Sequence, residues 1–176
     1  MSTSQVFFSS RLSARAIVAG TLSTFAIMVA LMTLAGGFGI WKFDLTEIPN
    51  LGAGFWGWAF LSWIFSLYVS GYVVAVASRS ISIRDGALHG FVTWASACVT
   101  GCLFMVAAAT GRLFDGFSYA EMPKVLFWGL FISEVLALGG AVLGGIQGAN
   151  GEMLAEEEEE KYLASHGGKL QSAFGQ

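Results

Sequence analysis

The chain has 176 residues, 55% of them apolar and only 12% charged, with 23 glycines besides; soluble domains carry about 25% charged residues. Nine Lys and Arg against twelve Asp and Glu give a net charge of −3. This balance excludes a disordered chain, a basic nucleic-acid-binding module and an ordinary soluble enzyme domain, and it names the lipid bilayer as the chain's surroundings.

Residues 1–14 form a polar N-terminal segment, with Arg11 and Arg15 as a basic flank to the first uncharged run, Ala16 to Trp41. Leu34-Ala35-Gly36 imitates a secretory cleavage site. The apolar core before it is about 20 residues, longer than the 7–15 of a signal peptide, so the run reads as a true span. Three further runs follow: Ile48 to Ser78, Gly86 to Gly111, and Val125 to Gly151. Each exceeds the ~20 residues that cross a ~30 Å hydrocarbon core. Backbone groups in lipid must be satisfied within their own segment, and no run alternates polar with apolar, so helices are expected. The predicted fold is all-α: a polytopic membrane protein with four transmembrane helices in a bundle, at about 16–41, 53–78, 87–111 and 125–149 within a domain of 15–151. Residues 152–176 make an acidic tail of net charge −4, whereas residues 1–151 balance at +1.

Arg11, Arg15, Arg79, Arg84, Lys161 and Lys169 fall on one side of such a bundle, and Lys42, Arg112 and Lys124 on the other. The excess of basic residues predicts both termini in the cytoplasm. Trp41, Trp56, Trp58 and Trp128 would belt the opposite face, joined by Phe114, Phe117 and Tyr119 from a loop, Arg112 to Lys124, that is apolar enough to lie along the lipid interface. Phe55-Trp56-Gly57 recurs as Phe127-Trp128-Gly129, and Gly20 precedes Gly90 by about the same interval. These matches are too few to set above coincidence among Gly, Phe and Trp.

Helices in lipid associate by close backbone approach and a few hydrogen bonds. The expected contact positions are Gly140, Gly144, Gly145 and Gly148 with Ala141 on the fourth span. Ser62, Ser66 and Ser70 at four-residue spacing on the second, and Ala97/Gly101 with Cys98/Cys102 on the third, complete them. The glycine density of the fourth span exceeds what a lone four-helix monomer needs, which predicts a homo-oligomer or docked membrane subunits. The two cysteines lack further ligands at metal spacing and read as packing residues.

Glu134 is the acid inside a span. It lies ten residues past Lys124, hence about 15 Å deep. An ionised side chain at that depth costs roughly 2.5–3.5 kcal/mol on insertion scales. At 100° per residue it shares a face with Ala141, Gly145 and Gly148, so it should point into a helix interface. The structural expectation is a hydrogen bond to Ser62, Ser66 or Thr100; the functional candidate is a proton or cation site. Asp85 and His89, one turn apart at the cytoplasmic start of the third span, form a candidate cytoplasmic-face pair: a local cap, or a pH-sensitive or ligand-gated contact. Glu156 to Glu160 and Lys161 should continue the fourth span as a short solvated helix with a Glu157–Lys161 pair, fraying beyond Ser165 at Gly167-Gly168. No nucleophile elbow, phosphate loop, zinc-protease or dinucleotide motif occurs, so neither an enzyme nor a cofactor is expected.

Three segments carry a resemblance: Arg15-Ala16-Ile17-Val18-Ala19-Gly20-Thr21, Val69-Ser70-Gly71-Tyr72-Val73-Val74-Ala75, and Asp85-Gly86-Ala87-Leu88-His89-Gly90-Phe91-Val92-Thr93-Trp94. Over roughly residues 15 to 95 the chain resembles an uncharacterised family of small bacterial multi-span membrane proteins. Its members read W-x-A-I-x-A-G, G-G-Y-V-A-G-R and D-G-A-L-H-G-L-V-x-W. Arg15 stands where the family has Trp, and Ser70 where it has Gly. The resemblance implies a bacterial inner membrane and supplies no activity. The sequence thus leads to a structural or accessory inner-membrane subunit, with a small oligomeric transporter or channel built on Glu134 as the alternative.

Overall fold

The computed structural model describes residues 13–38, 53–80, 82–109 and 124–174, with the backbone alone at 53, 105, 108–109, 124–127 and 166–174. Four helices make up the described chain: α1 (Ala14–Gly37), α2 (Ala53–Ala77), α3 (Ile83–Ala109) and α4 (Lys124–Phe174). All four are long and apolar enough to cross a membrane, and no strand occurs among the described residues. The all-α four-span bundle expected from the uncharged runs is the fold. Trp41, Lys42 and the loop Arg112 to Pro123, with Phe114, Phe117 and Tyr119, lie outside the described residues.

Helix ends follow local chemistry. Ser13 caps α1: its hydroxyl accepts from Ala16 N at 3.3 Å, while Ile17 N donates to its carbonyl at 3.0 Å. α2 ends in a Schellman motif, with Ser80 N donating to Ala75 O and Arg79 N to Val76 O, each at 3.0 Å. This puts Arg79 at the left-handed position, φ 50°, which glycine normally fills. Two residues later Ser82 accepts from Gly86 N at 2.9 Å and α3 begins, with Asp85 in its first turn against the positive helix end.

α2 and α3 form the central pair, with α4 against both from one side and α1 against both from the other. The α1 start, the α2–α3 turn and the middle of α4 share one end of the bundle. The core holds Leu67, Ala97, Ala137 and Ala141, with Trp63, Ile64 and Trp94 packed against it. α4 enters the α2–α3 groove by backbone contact. A methyl group at Gly144 would collide with the Tyr68 carbonyl of α2, and one at Gly145 with the Gly86 carbonyl of α3. Gly71 and Gly90, from the two central helices, both press on the Ala141 carbonyl. Gly148 meets Tyr72 O and Ala75, and Gly140 faces Ile64 O.

The glycines from which an oligomer was expected are therefore used inside the chain, and their density gives no separate reason for a second copy. Gly101, expected to pack with Ala97, has nothing within 4 Å of where a methyl would stand, and Cys102 is exposed. The tail also departs from expectation. α4 continues as one helix of 51 residues, about 76 Å, through Gly167-Gly168 to Phe174 instead of ending near Ser165. Extending a formed helix adds one hydrogen bond per residue fixed, so two glycines at roughly 1 kcal/mol each do not stop it. Lys161 donates to Glu157 Oε1 at 2.6 Å as the spacing predicted.

Candidate functional site

Four polar groupings lie inside or beside the spans. The first ties α1 to the central pair. Thr24 on α1 donates to Ser70 Oγ on α2 at 2.9 Å, both fully buried, and Thr21 shares a 2.6 Å hydrogen bond with Ser96 of α3. Trp58 of α2 donates its indole N–H to Leu31 O of α1 at 3.0 Å. The stripe Ser62, Ser66, Ser70 is buried throughout, as its spacing predicted. Ser66, however, donates to Ser62 O in its own helix at 2.6 Å, and only Ser70 accepts from another helix.

The second grouping is the α2–α3 turn. His89 is 3% exposed. Its Nδ1 lies 2.8 Å from the backbone oxygen of Asp85 and 3.3 Å from Ser80 Oγ, which in turn lies 2.8 Å from Ser78 Oγ. A carbonyl can only accept, so Nδ1 carries the proton. The expected pairing of the Asp85 carboxylate with the imidazole is corrected: the contact is made by the Asp85 main chain, because in a helix the i−4 carbonyl faces the buried side chain of residue i. Asp85 and His89 are neighbours, but not an ion pair. Nε2 is buried without a hydrogen-bond partner among the described residues, as is Trp63 Nε1 on α2.

The third grouping surrounds Glu134. Trp94 donates its indole N–H to Glu134 Oε2 at 3.1 Å, and Cys98 donates its S–H to the same oxygen at 3.2 Å. Both donors come from α3, one turn apart. This corrects the expected serine or threonine partner. Ser66 donates to Ser62 O within α2 at 2.6 Å, and Thr100 donates to Ser96 O in its own helix at 2.8 Å. It also moves Cys98 from a packing residue to a hydrogen-bond donor. A signal for this pair was present: Trp94 and Cys98 are i and i+4 donors on one face of α3, opposite an acid that needs donors.

The 100° spacing puts Glu134 on the buried face of α4, yet it remains half-exposed while Ala141, Gly145 and Gly148 are buried. It lies at the edge of the α3–α4 contact rather than inside it. Phe91, 45% exposed, stacks near Trp94 at a ring-centroid distance of 5.8 Å, and Phe131, 60% exposed, lies one turn before the acid on α4. Oε1 is neither buried nor hydrogen-bonded to any described residue.

The fourth grouping is an exposed contact: Tyr68 of α2 donates its hydroxyl to Gln147 Oε1 of α4. No set of three or more His, Cys, Asp or Glu side chains able to hold a metal ion occurs among the described residues.

The three segments that carry the family resemblance come together in space. Gly20 of the first packs against Val74 of the second and Thr93 of the third. In comparisons with protein-family models, curated proteins and solved structures, the chain matches none. Its functional reading therefore rests on its own residues.

Proposed function

We propose that this chain is a structural or accessory subunit of a bacterial inner-membrane assembly, acting through helix–helix contacts and not as an enzyme. The observation that carries the reading is α4. Backbone contact with both central helices fixes it in the bundle, and it leaves the membrane as a continuous acidic rod, exposed over residues 154–165. Such a helix couples whatever meets the rod to whatever meets the membrane faces. Arg15, Arg79 and Arg84 are exposed at the bundle end from which that rod emerges. Their positions support the cytoplasmic placement of both termini.

The test is the mass of the native particle in mild detergent. A particle larger than the 18.7 kDa chain, whether of further copies or other subunits, is expected; a lone monomer overturns the reading. The second reading, a small oligomeric transporter or channel with a proton or cation site, is favoured by one observation, Oε1 of Glu134 at mid-span, which has no hydrogen-bond partner among the described residues. Glu134→Gln separates the two. Transport predicts ion or proton flux in proteoliposomes that the variant abolishes with assembly intact, and the accessory role predicts no flux from either form.

A further inference from the structure

We infer that Glu134 is the docking point for a transmembrane helix of a different protein, one that brings a lysine or arginine side chain to mid-membrane depth. The inference rests on the accessory-subunit reading and names the chemistry of the partner. Trp94 N–H and Cys98 S–H both converge on Oε2, which holds the carboxyl group in one orientation and leaves Oε1 without a hydrogen-bond partner among the described residues. Beside it the surface is apolar and exposed: Phe91 on α3, and Phe131 and Val135 on α4. About 15 Å into the hydrocarbon, neither water nor lipid tails can supply the donor or counter-charge that an open carboxyl oxygen requires.

A second copy of this chain supplies no counter-charge at that depth either. All nine Lys and Arg lie outside the apolar runs. The exposed hydroxyls of Thr33 and Thr100, and that of Ser23 on the same outer surface of α1, donate back to carbonyls of their own helices at 2.8 Å. A copy would offer another acid where a base is needed. Charge complementarity therefore selects a foreign helix with a basic residue, and the exposed phenylalanines supply the apolar contact beside it.

The full-length protein is reconstituted in liposomes with single-span probe peptides: a polyleucine host, the same host with one central lysine, and the host with that lysine moved to one end. Association is read by energy transfer between labels. The central-lysine peptide should bind about tenfold more tightly than the all-leucine host, the scale of one intramembrane polar contact. The end-lysine peptide should bind like the host. Glu134→Leu should erase the preference and Glu134→Gln should weaken it. Equal binding of the three peptides to the unmodified protein overturns the inference, and that comparison needs no variant to fold. A preference that survives Glu134→Leu overturns it too. Proton or cation flux abolished by Glu134→Gln, with no preference among peptides, overturns it in favour of transport. A native particle larger than the monomer, combined with no preference, overturns the basic partner while the accessory role stands.

Discussion

α1 and α4 press on the same two helices from opposite sides, but they are held by different chemistry. α4 uses glycines to bring its backbone against α2 and α3, so that carbonyls meet Cα directly at Gly144 and Gly145, and side-chain hydrogen bonds at Glu134 and Gln147 are added along the same helix. α1 makes one such approach, at Gly20, and otherwise relies on Thr24–Ser70, Thr21–Ser96 and Trp58–Leu31 hydrogen bonds. The first mode gains dispersion over a long seam and tolerates no added atom; the second gains a few discrete contacts and tolerates change. α4 is therefore the fixed element of the bundle, and α1 is the helix most readily shifted.

The sharpest way to break this contrast is to add volume at the α4 seam. Gly145→Val drives a side chain into the Gly86 carbonyl, and no flexible group is available to move aside. A loss of more than about 3 kcal/mol, beyond the usual range for overpacking, is expected in detergent unfolding. Gly139, on the same helix, has open space where its methyl would stand. Gly139→Ala should leave the unfolding midpoint unchanged or raise it slightly. A gain at both positions would show that helix propensity, not backbone approach, sets the stability of α4.

At the α1 seam the expected effects are smaller. A double-mutant cycle of Thr24→Val and Ser70→Ala should give a coupling of about 0.6 kcal/mol and at most about 1.7, the range of interhelical hydrogen bonds measured in a membrane bundle. A coupling of zero would mean that α1 is held without this pair, by Gly20 packing and the Thr21–Ser96 and Trp58–Leu31 contacts. Arg79→Gly tests the turn that both modes share, with the opposite sign. Relieving a left-handed non-glycine residue should stabilise by about 1 kcal/mol, read as a higher unfolding midpoint with the helical content unchanged.

The spans are legible in the sequence because charge is so costly in lipid that a run of about 20 residues without any marks a crossing. The buried serine stripe is legible for a similar reason, since four-residue spacing fixes a common face. Which helix each glycine meets is not legible. Gly140, Gly144 and Gly148 face α2 while Gly145 faces α3, and Ala141 serves both. The period of one helix marks a contact face without saying whose backbone fills it, so a seam within the chain reads the same as one between copies. Glu134 stands out by its isolation among apolar residues, but its donors are not the hydroxyls that its depth suggests. Hydroxyls on a helix usually bond the carbonyl a turn earlier, as Ser66 and Thr100 do. An indole N–H has no such outlet, which leaves Trp94 free to reach across.

The smallest predicted effect concerns the rod beyond the bundle. The Lys161–Glu157 pair is 2.6 Å long, with its side chains 72% and 59% exposed. Water screens such a pair, and ordering two long side chains offsets much of the attraction. Lys161→Met should therefore change the unfolding midpoint by no more than about 0.5 kcal/mol equivalent, the upper end for exposed i,i+4 pairs. Its neighbours sharpen the test. Glu156, Glu158, Glu159 and Glu160 repel one another along the same turns, so the lysine also relieves like-charge strain, and its loss should be felt more at low salt than at high. If the variant instead lost tens of degrees of stability, or shed the helical signal of the rod, the cytoplasmic part of α4 would be supported by its charges. It would then not be a passive continuation of a helix anchored by glycine.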